Sequence, residues 1–214
     1  MNAALERPGA YSGAGTFWPW GWPMLTARAL TEIAKGDRMA FSRLYSAARP
    51  GLLRYASALL AGDVDAAMDV VDEAFLDIWR NAGRYSGTGS ADGWIRHIVR
   101  NKAVDSLRSR REKPAALHEA SFAERLADDA DTPARTAELT SDANNLHKAL
   151  ERLSPDHREA IWLCYFEERS LAEIAEIAGC PENTVKTRLF HARRLLRGEL
   201  ERAAAPRVRV VRPG

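Results

Sequence analysis

Ser154, Asp156 and His157 place a hydroxyl, a carboxylate and an imidazole within four residues, the side-chain types of a nucleophilic triad. They are sequence neighbours at a helix start, whereas a triad needs three groups aimed at one another, so no acyl-transfer chemistry follows from them. His97, His118, His147, His157 and His191 lack metal-ligand spacing, and Cys164 and Cys180 form no CxxC and no Cys/His set. Gly87-Thr88-Gly89 superficially suggests a phosphate loop, but no strand precedes it and no P-loop lysine follows. No catalytic residue, metal, cofactor or small-molecule substrate is therefore expected. The side chains with a clear chemical purpose are those that hydrogen-bond nucleic acid.

The sharpest set is Asn183, Thr184, Lys186, Thr187 and Arg188, which face outward from the opening turns of a helix whose Val185 and Leu189 point inward. Lys and Arg reach guanine O6 and N7 in a major groove, and Asn or Thr bonds base edges or phosphates. The elements that must hold this helix are legible. Ser154-Pro155 caps and opens a helix carrying Ile161, Leu163, Cys164 and Phe166, which is expected to end near Glu168. Ser170-Leu171-Ala172-Glu173 is a capping box, and Leu171, Ile174, Ala175 and Ala178 form the inward face of a short helix. Gly179 supplies the left-handed residue that ends it, and Pro181 opens the next helix. This is helix-turn-helix grammar. His191, Arg193, Arg194 and Arg197 continue the basic surface.

A second set lies upstream. Residues 67–81 send Val71, Phe75 and Ile78 inward and leave Asp69, Asp72, Glu73 and Asp77 outward beside Trp79. Such a like-charged face calls for a basic partner or plain water. A glycine-rich loop over 83–93 then leads into a helix with six basic residues and one acid between Arg96 and Arg111. Basic groups together with Tyr85 and Trp94 suit single-stranded DNA, where rings stack on bases and cations track phosphates.

The chain has 214 residues, 46% of them apolar and 28% charged, enough for one large or two small folded domains. With 31 Lys+Arg against 29 Asp+Glu the net charge is only +2, so composition alone does not announce a nucleic-acid binder. No run approaches the ~20 apolar residues of a membrane span, and the protein is read as cytoplasmic without membrane insertion. Prolines and glycines break up the aromatic stretch Phe17 to Trp22, and no basic segment precedes it, which excludes a signal peptide. The two cysteines are read as buried, reduced thiols.

Apolar spacings of three and four run from Leu25 to 111 and again from Leu146 to Leu200, with no strand-like alternation. Between them, Glu112 to Asp142 carries eight acidic against three basic residues. The expected architecture is all-α: a disordered N-terminal tail (1–24), a helical domain (25–111), an acidic flexible linker (112–141), a helix-turn-helix domain (142–202) and a basic C-terminal tail (203–214).

The order of these parts resembles the bacterial RNA polymerase sigma factors of the extracytoplasmic-function (ECF) group. The resemblance is carried by DRMAFSRLYSAARPGLLRYASALL, VVDEAFLDIWRN, GWIRHIVRNKAVDSLRSRR and LSPDHREAIWLCYFEERSLAEIAEIAGCPENTVKTRLFHARRLLR, and covers about 25–202. It implies an alternative sigma factor that binds core RNA polymerase at its clamp coiled coil and flap and starts transcription at specific promoters. Region 2 would melt the minus-10 element and region 4 would read the minus-35 element. Carried over by position, Asp69, Asp72, Glu73, Phe75, Leu76 and Trp79 would bind the clamp. Arg84, Tyr85, Ser86, Thr88 and Ser90 of the loop would take the minus-10 DNA, with Trp94, Arg96, Arg100, Asn101 and Lys102 of the next helix. Asn183, Thr184, Lys186, Thr187, Arg188, His191 and Arg193 would take the minus-35 DNA. Asn183 stands where the family often has glycine, His191 where arginine is common and Asp72 where glutamine is frequent, so the promoter sequence cannot be copied from relatives.

The resemblance also implies an anti-sigma factor as partner and a stress or environmental response as setting. Two other readings use the same residues: a sigma mimic that sequesters an anti-sigma factor, and a dimeric helix-turn-helix regulator on duplex operators. The intact basic helices argue against the first, and the second leaves the acidic Trp79 helix and the glycine loop unexplained. A near-neutral chain gains little from counterion release, so the free protein should bind duplex DNA poorly, and acidic and basic faces are able to cover each other in a closed form.

Overall fold

The computed structural model describes residues 22–112, 145–146 and 148–204. The parts of the expected tails and linker that fall on 1–21, 113–141 and 205–214 lie outside the described residues. The described chain is helical, with no strand among the described residues.

Helix α1 (Trp22–Ala34) is followed by α2 (Arg38–Leu59), α3 (Val64–Asn81), a 3₁₀ turn (Ala82–Arg84) and α4 (Ala91–Glu112). The first helix begins inside the stretch read as tail, because Pro23 at its second position is compatible with a first helical turn, where N–H groups have no intrahelical acceptor. Gly36 turns at φ +87° and the Asp37 carboxylate accepts from the Met39 and Ala40 amides, which starts α2 where the sequence places it. Asp63 caps α3 in the same way through the Ala66 amide. Leu30, Leu52, Tyr55, Leu59, Val71, Phe75, Ile78, Ile95 and Val99 fill the core between these four helices.

The second part comprises α5 (Pro155–Ile161), a π-helical turn (Trp162–Phe166), α6 (Leu171–Ala178) and α7 (Glu182–Ala204). Ser154 caps α5 by accepting from the His157 amide. The α-helix stops at Ile161 rather than near Glu168: the π turn widens the backbone there, keeping Leu163 in the core and leaving Phe166 exposed and stacked on Trp162 at 4.6 Å. Both halves of the Ser170/Glu173 capping box form, and Gly179 ends α6 at φ +62°. Burial pushes the Glu173 carboxyl up, but hydrogen bonds from Ser170 and then Arg169 outweigh it and hold the group below its ordinary value. Ile174, Ile177, Val185, Leu189 and Ala192 close the second core. Cys164 and Cys180 are free thiols, half-buried rather than buried.

The two parts are in contact. α4 packs on α6, α2 packs on α5, and the buried apolar residues of both form one continuous cluster.

Candidate nucleic-acid interface

The recognition surface begins with the tight turn across Gly179, Cys180 and Pro181, which sets α7 against α6. Val185 and Leu189 are buried against that packing, so their neighbours in the opening turns of α7 face away: Asn183, Lys186 and Thr187 are exposed and Thr184 is half-buried. Thr187 Oγ1 donates to the Asn183 carbonyl at 2.9 Å, which fixes its rotamer. Arg188 is drawn partly inward, its guanidinium donating to Asp156 Oδ2 at 3.0 Å. His191 lies 6.4 Å ring to ring from His157, and Arg193 stacks over Tyr165 at 5.5 Å. Burial first, and His191 second, hold the His157 imidazole below its ordinary pKa.

On α3 the expected outward acids are outward except Asp77, which is half-buried. Asp69, Asp72 and Glu73 are exposed, and Leu76 is 52% exposed, a large apolar side chain in water beside three carboxylates. Trp79 packs edge-on against Phe41 at 5.2 Å and is half-buried. Phe75 departs from the expected contact set: it is 2% exposed, buried under Tyr45 and Phe41, because it falls on the core side of the helix with Val71 and Ile78. Part of the acidic face is already neutralised from within. Lys102 of α4 reaches Asp77 at 3.0 Å and Glu73 at 3.5 Å, and Tyr45 and Arg49 meet Asp72. Lys102 is thereby turned toward α3 instead of standing free for DNA, and its hydrogen bond to Asp77 raises its pKa.

In the loop, Arg84, Ser86 and Thr88 are exposed, and Tyr85 lies 5.9 Å from Trp94 with its hydroxyl donating to the Gly89 carbonyl. Gly87 and Gly89 adopt φ +76° and +77°, which the loop turn needs and other residues rarely adopt. Ser90 is occupied: its amide donates to Glu176 Oε1 of α6 at 2.7 Å.

The largest departure concerns α4. Asn101 is exposed, but Arg96 is fully buried, and Arg100 is largely covered. Arg96 Nε donates to Asp92, and its NH1 donates to Glu167 Oε1 at 2.8 Å, which also accepts from Trp162 Nε1 at 2.9 Å. Asp92 accepts in addition from Arg169 at 2.5 Å. Arg100 donates to Glu159 Oε2 and Asp156 Oδ1, each at 2.8 Å, and Tyr55 donates to the other Glu159 oxygen at 2.6 Å. His97 meets the Ile177 carbonyl at 3.1 Å. Burial disfavours the charge on Arg96, but Asp92 and Glu167 more than offset it and raise its pKa; Glu159 and Asp156 do the same for Arg100. These arginines were assigned to nucleic acid by their position in the family resemblance, and apart from Asp92 their carboxylate partners come from the second module.

Asp156, Glu159, Glu167, Arg169 and Glu176 are thus the interface residues that sequence reasoning passed over. The available signal was charge complementarity between the basic α4 and the acids of 156–176, which periodicity does not reveal.

The family model described as Sigma-70 region 2 matches residues 44–113, and that described as Sigma-70, region 4 matches residues 143–196. The ECF RNA polymerase sigma factor SigC of Mycobacterium tuberculosis is 32% identical over 177 residues, 83% of this chain and 91% of that protein. SigW of Bacillus subtilis, also an ECF RNA polymerase sigma factor, is 27% identical over 185 residues, 83% of this chain and 97% of that one. A probable RNA polymerase sigma factor of Xanthomonas campestris, RfaY, is 31% identical over 80% of this chain, which spans only 43% of the length of that relative. Among solved structures, the sigma factor RpoE of Bartonella quintana, crystallised with the anti-sigma factor NepR, is similar with a TM-score of 0.60 and 25% identity over 75% of this chain and 96% of that one. CnrH, solved in complex with the cytosolic domain of CnrY, shares the fold at a TM-score of 0.57 and 22% identity, over 83% of this chain and 98% of that one.

Two helical modules, the second a helix-turn-helix, define a DNA-binding protein of sigma-70 architecture. The chain belongs to the ECF group of RNA polymerase sigma factors, a family of transcription initiation factors. No described helix is long and apolar enough to cross a membrane.

Proposed function

We propose that this sigma factor directs core RNA polymerase to a specific set of promoters from the cytoplasm, as a non-catalytic subunit, with residues 25–111 and 142–202 as its two working domains and 112–141 as their tether. The α3 face of Asp69, Asp72, Glu73, Leu76 and Trp79 takes the clamp coiled coil, and region 4 takes the flap. The loop at 84–90 with Trp94 and Asn101 takes the melted minus-10 element. The α7 residues Asn183, Thr184, Lys186, Thr187, Arg188, His191 and Arg193 take the minus-35 duplex. Tethering two weak readers on one polymerase supplies affinity through effective concentration, which suits a chain of net charge +2.

The observation that carries this reading is the outward row of Asn183, Lys186 and Thr187 in the opening turns of α7, held by the buried Val185 and Leu189. An anti-sigma factor as resting partner is supported by the solved complex of the similar RpoE with NepR.

In vitro transcription with core polymerase on a genomic promoter library tests it. Promoter-specific transcripts from wild type, lost in Asn183→Ala/Lys186→Ala, are expected. Absence of any transcript despite binding to core would favour an anti-sigma decoy, and no binding to core would overturn the polymerase reading.

A further inference from the structure

Thr184, Thr187, Arg188 and His191 recur at intervals of three and four, so they share one stripe of α7, beside the buried line of Val185, Leu189 and Ala192. Two members of that stripe are already engaged. The Thr187 hydroxyl donates to the Asn183 carbonyl, and the Arg188 guanidinium donates to Asp156 and lies 3.6 Å from the Cys180 sulfur. Asp156 in turn accepts from Arg100 of α4 on its other oxygen. His191 is placed differently: among the described residues no carboxylate pairs with it. Its neighbours are two rings, His157 of α5 at 6.4 Å and 41°, and Phe190 edge-on at 5.5 Å.

Burial opposes a proton on the His157 ring most and His191 next; Asp156 favours one and Arg188 opposes it. The charges carried by the surrounding elements are turned elsewhere: Tyr55 of α2 and Arg100 of α4 to Glu159, Glu173 and Glu176 of α6 to Ser170 and Ser90, and Tyr165 of the π turn to Arg193. Arg194, three residues beyond His191, is exposed. We propose that His157 and His191 form a proton-linked contact for the minus-35 duplex, holding a DNA phosphate when the pair carries a proton and releasing it when both rings are neutral. It rests on the minus-35 role given above to α7 and makes the proton a co-ligand there.

A neutral imidazole offers one N–H and one acceptor nitrogen, whereas an imidazolium offers two N–H donors and a charge. The charged form makes the shorter and stronger hydrogen bond to a phosphate oxygen, so DNA selects the protonated ring. The complex then holds more protons than its free components, and linkage makes affinity rise as pH falls, by up to about tenfold per pH unit for one proton. Histidine is the side chain whose ordinary value puts this change between about pH 5 and 8. Two rings 6.4 Å apart oppose being charged together, so the pair takes up one proton as a unit rather than two independently. His157 is a positioning residue: it sets, through His191, the pH at which the contact forms.

The test uses the full chain and a labelled mixed-sequence DNA duplex of about 30 base pairs at low salt, read by fluorescence anisotropy from about pH 5.5 to about 8. Wild type is expected to bind about fivefold more tightly at the acid end than at the alkaline end. His191→Gln is expected to change less than about twofold over the same range, and His191→Arg, a fixed cation, to bind at the alkaline end as tightly as wild type does at the acid end. His157→Gln is expected to keep the size of the change and to move its midpoint up by about half a pH unit, which loss of a merely structural side chain would not do. A flat wild-type profile, or one equally steep in His191→Gln, would overturn the proton link, and an unmoved midpoint in His157→Gln would overturn the pair. Should His157→Gln not fold by circular dichroism, calorimetry of wild-type binding in buffers of different ionisation enthalpy decides instead, with uptake of about one proton expected and no uptake overturning the proposal. Transcription with core polymerase separates the two readings: no transcript from wild type at any pH sinks the promoter-reading role, whereas the duplex profiles judge the proton link.

Discussion

The Tyr55 hydroxyl donates to the Glu159 carboxylate at 2.6 Å across 104 residues of sequence, with both side chains buried. The same carboxylate takes Arg100 on its other oxygen, and the Tyr55 ring carries the Arg96 guanidinium at 5.4 Å. A phenol of the first module and a carboxylate of the second thereby sit at the middle of the intermodule surface.

Removing that hydroxyl leaves one buried Glu159 oxygen short of a donor. Tyr55→Phe is expected to lower unfolding free energy by ~1–3 kcal/mol, measured by urea denaturation. A change under half that size would show that the modules separate at little cost.

Burial first, and Glu159 second, hold the Tyr55 pKa well above the usual phenol value. The unfolded chain loses this proton near pH 10 while the folded chain keeps it, so the contribution is intact below about pH 10 and is lost as pH rises through the folded value. Denaturation at increasing alkaline pH should therefore show falling stability, and Tyr55→Phe should flatten that slope. An unchanged slope in the variant would assign the alkaline loss elsewhere.

His157 moves the other way, its imidazole held neutral by burial and by His191. The unfolded chain takes up a proton near pH 6.5 while the folded chain resists, so this contribution is present above about pH 6.5 and is lost as pH falls through the folded value. Proton NMR of His191→Gln should show His157 titrating higher than in wild type. No upward movement would leave burial as the whole cause.

Adjacent residues on α3 separate fold from partner. Phe75→Ala is expected to cost ~3–5 kcal/mol of stability, because it empties a buried aromatic site. Leu76→Ala, at an exposed position, should leave stability within about 0.5 kcal/mol and weaken binding to core polymerase in a pull-down or titration. Undiminished core binding by Leu76→Ala would move the clamp contact off this face.

Ser170→Ala removes the hydroxyl half of the capping box and is expected to cost about 1 kcal/mol, with faster amide exchange in the first turn of α6. Exchange rates equal to wild type would show that the packing of Ile174 and Ile177 alone holds that turn.

What the sequence disclosed was local. Gly36 and Asp37, Ser154 and Pro155, and Ser170, Glu173 and Gly179 each act on residues within one turn, so their caps and stops were legible and the helix-turn-helix with them. The outward face of α3 followed from a 3.6-residue period, which also places Phe75 inward despite its position in the family contact set. The π turn at 162–166 was missed because Trp162, Leu163, Cys164 and Phe166 fit an ordinary helix equally well. The pairings of Arg96 and Arg100 were illegible for a different reason. Apart from Asp92, their partners lie 56 to 71 residues away, beyond the acidic linker, and no local period registers a charge on another module.

The same separation gives the protein a history during its synthesis. The chain is made from the N-terminus, and at about 5–20 residues per second the 71 residues between Arg96 and Glu167 take on the order of ten seconds to add. Through that interval a nascent α4 emerges beside ribosomal RNA with Asp92 as the acid nearest to Arg96 on its own helix and with nothing yet made to cover Arg100. The half-made chain is therefore expected to bind polyanions more tightly than the finished one, until synthesis of the last third supplies the covering carboxylates.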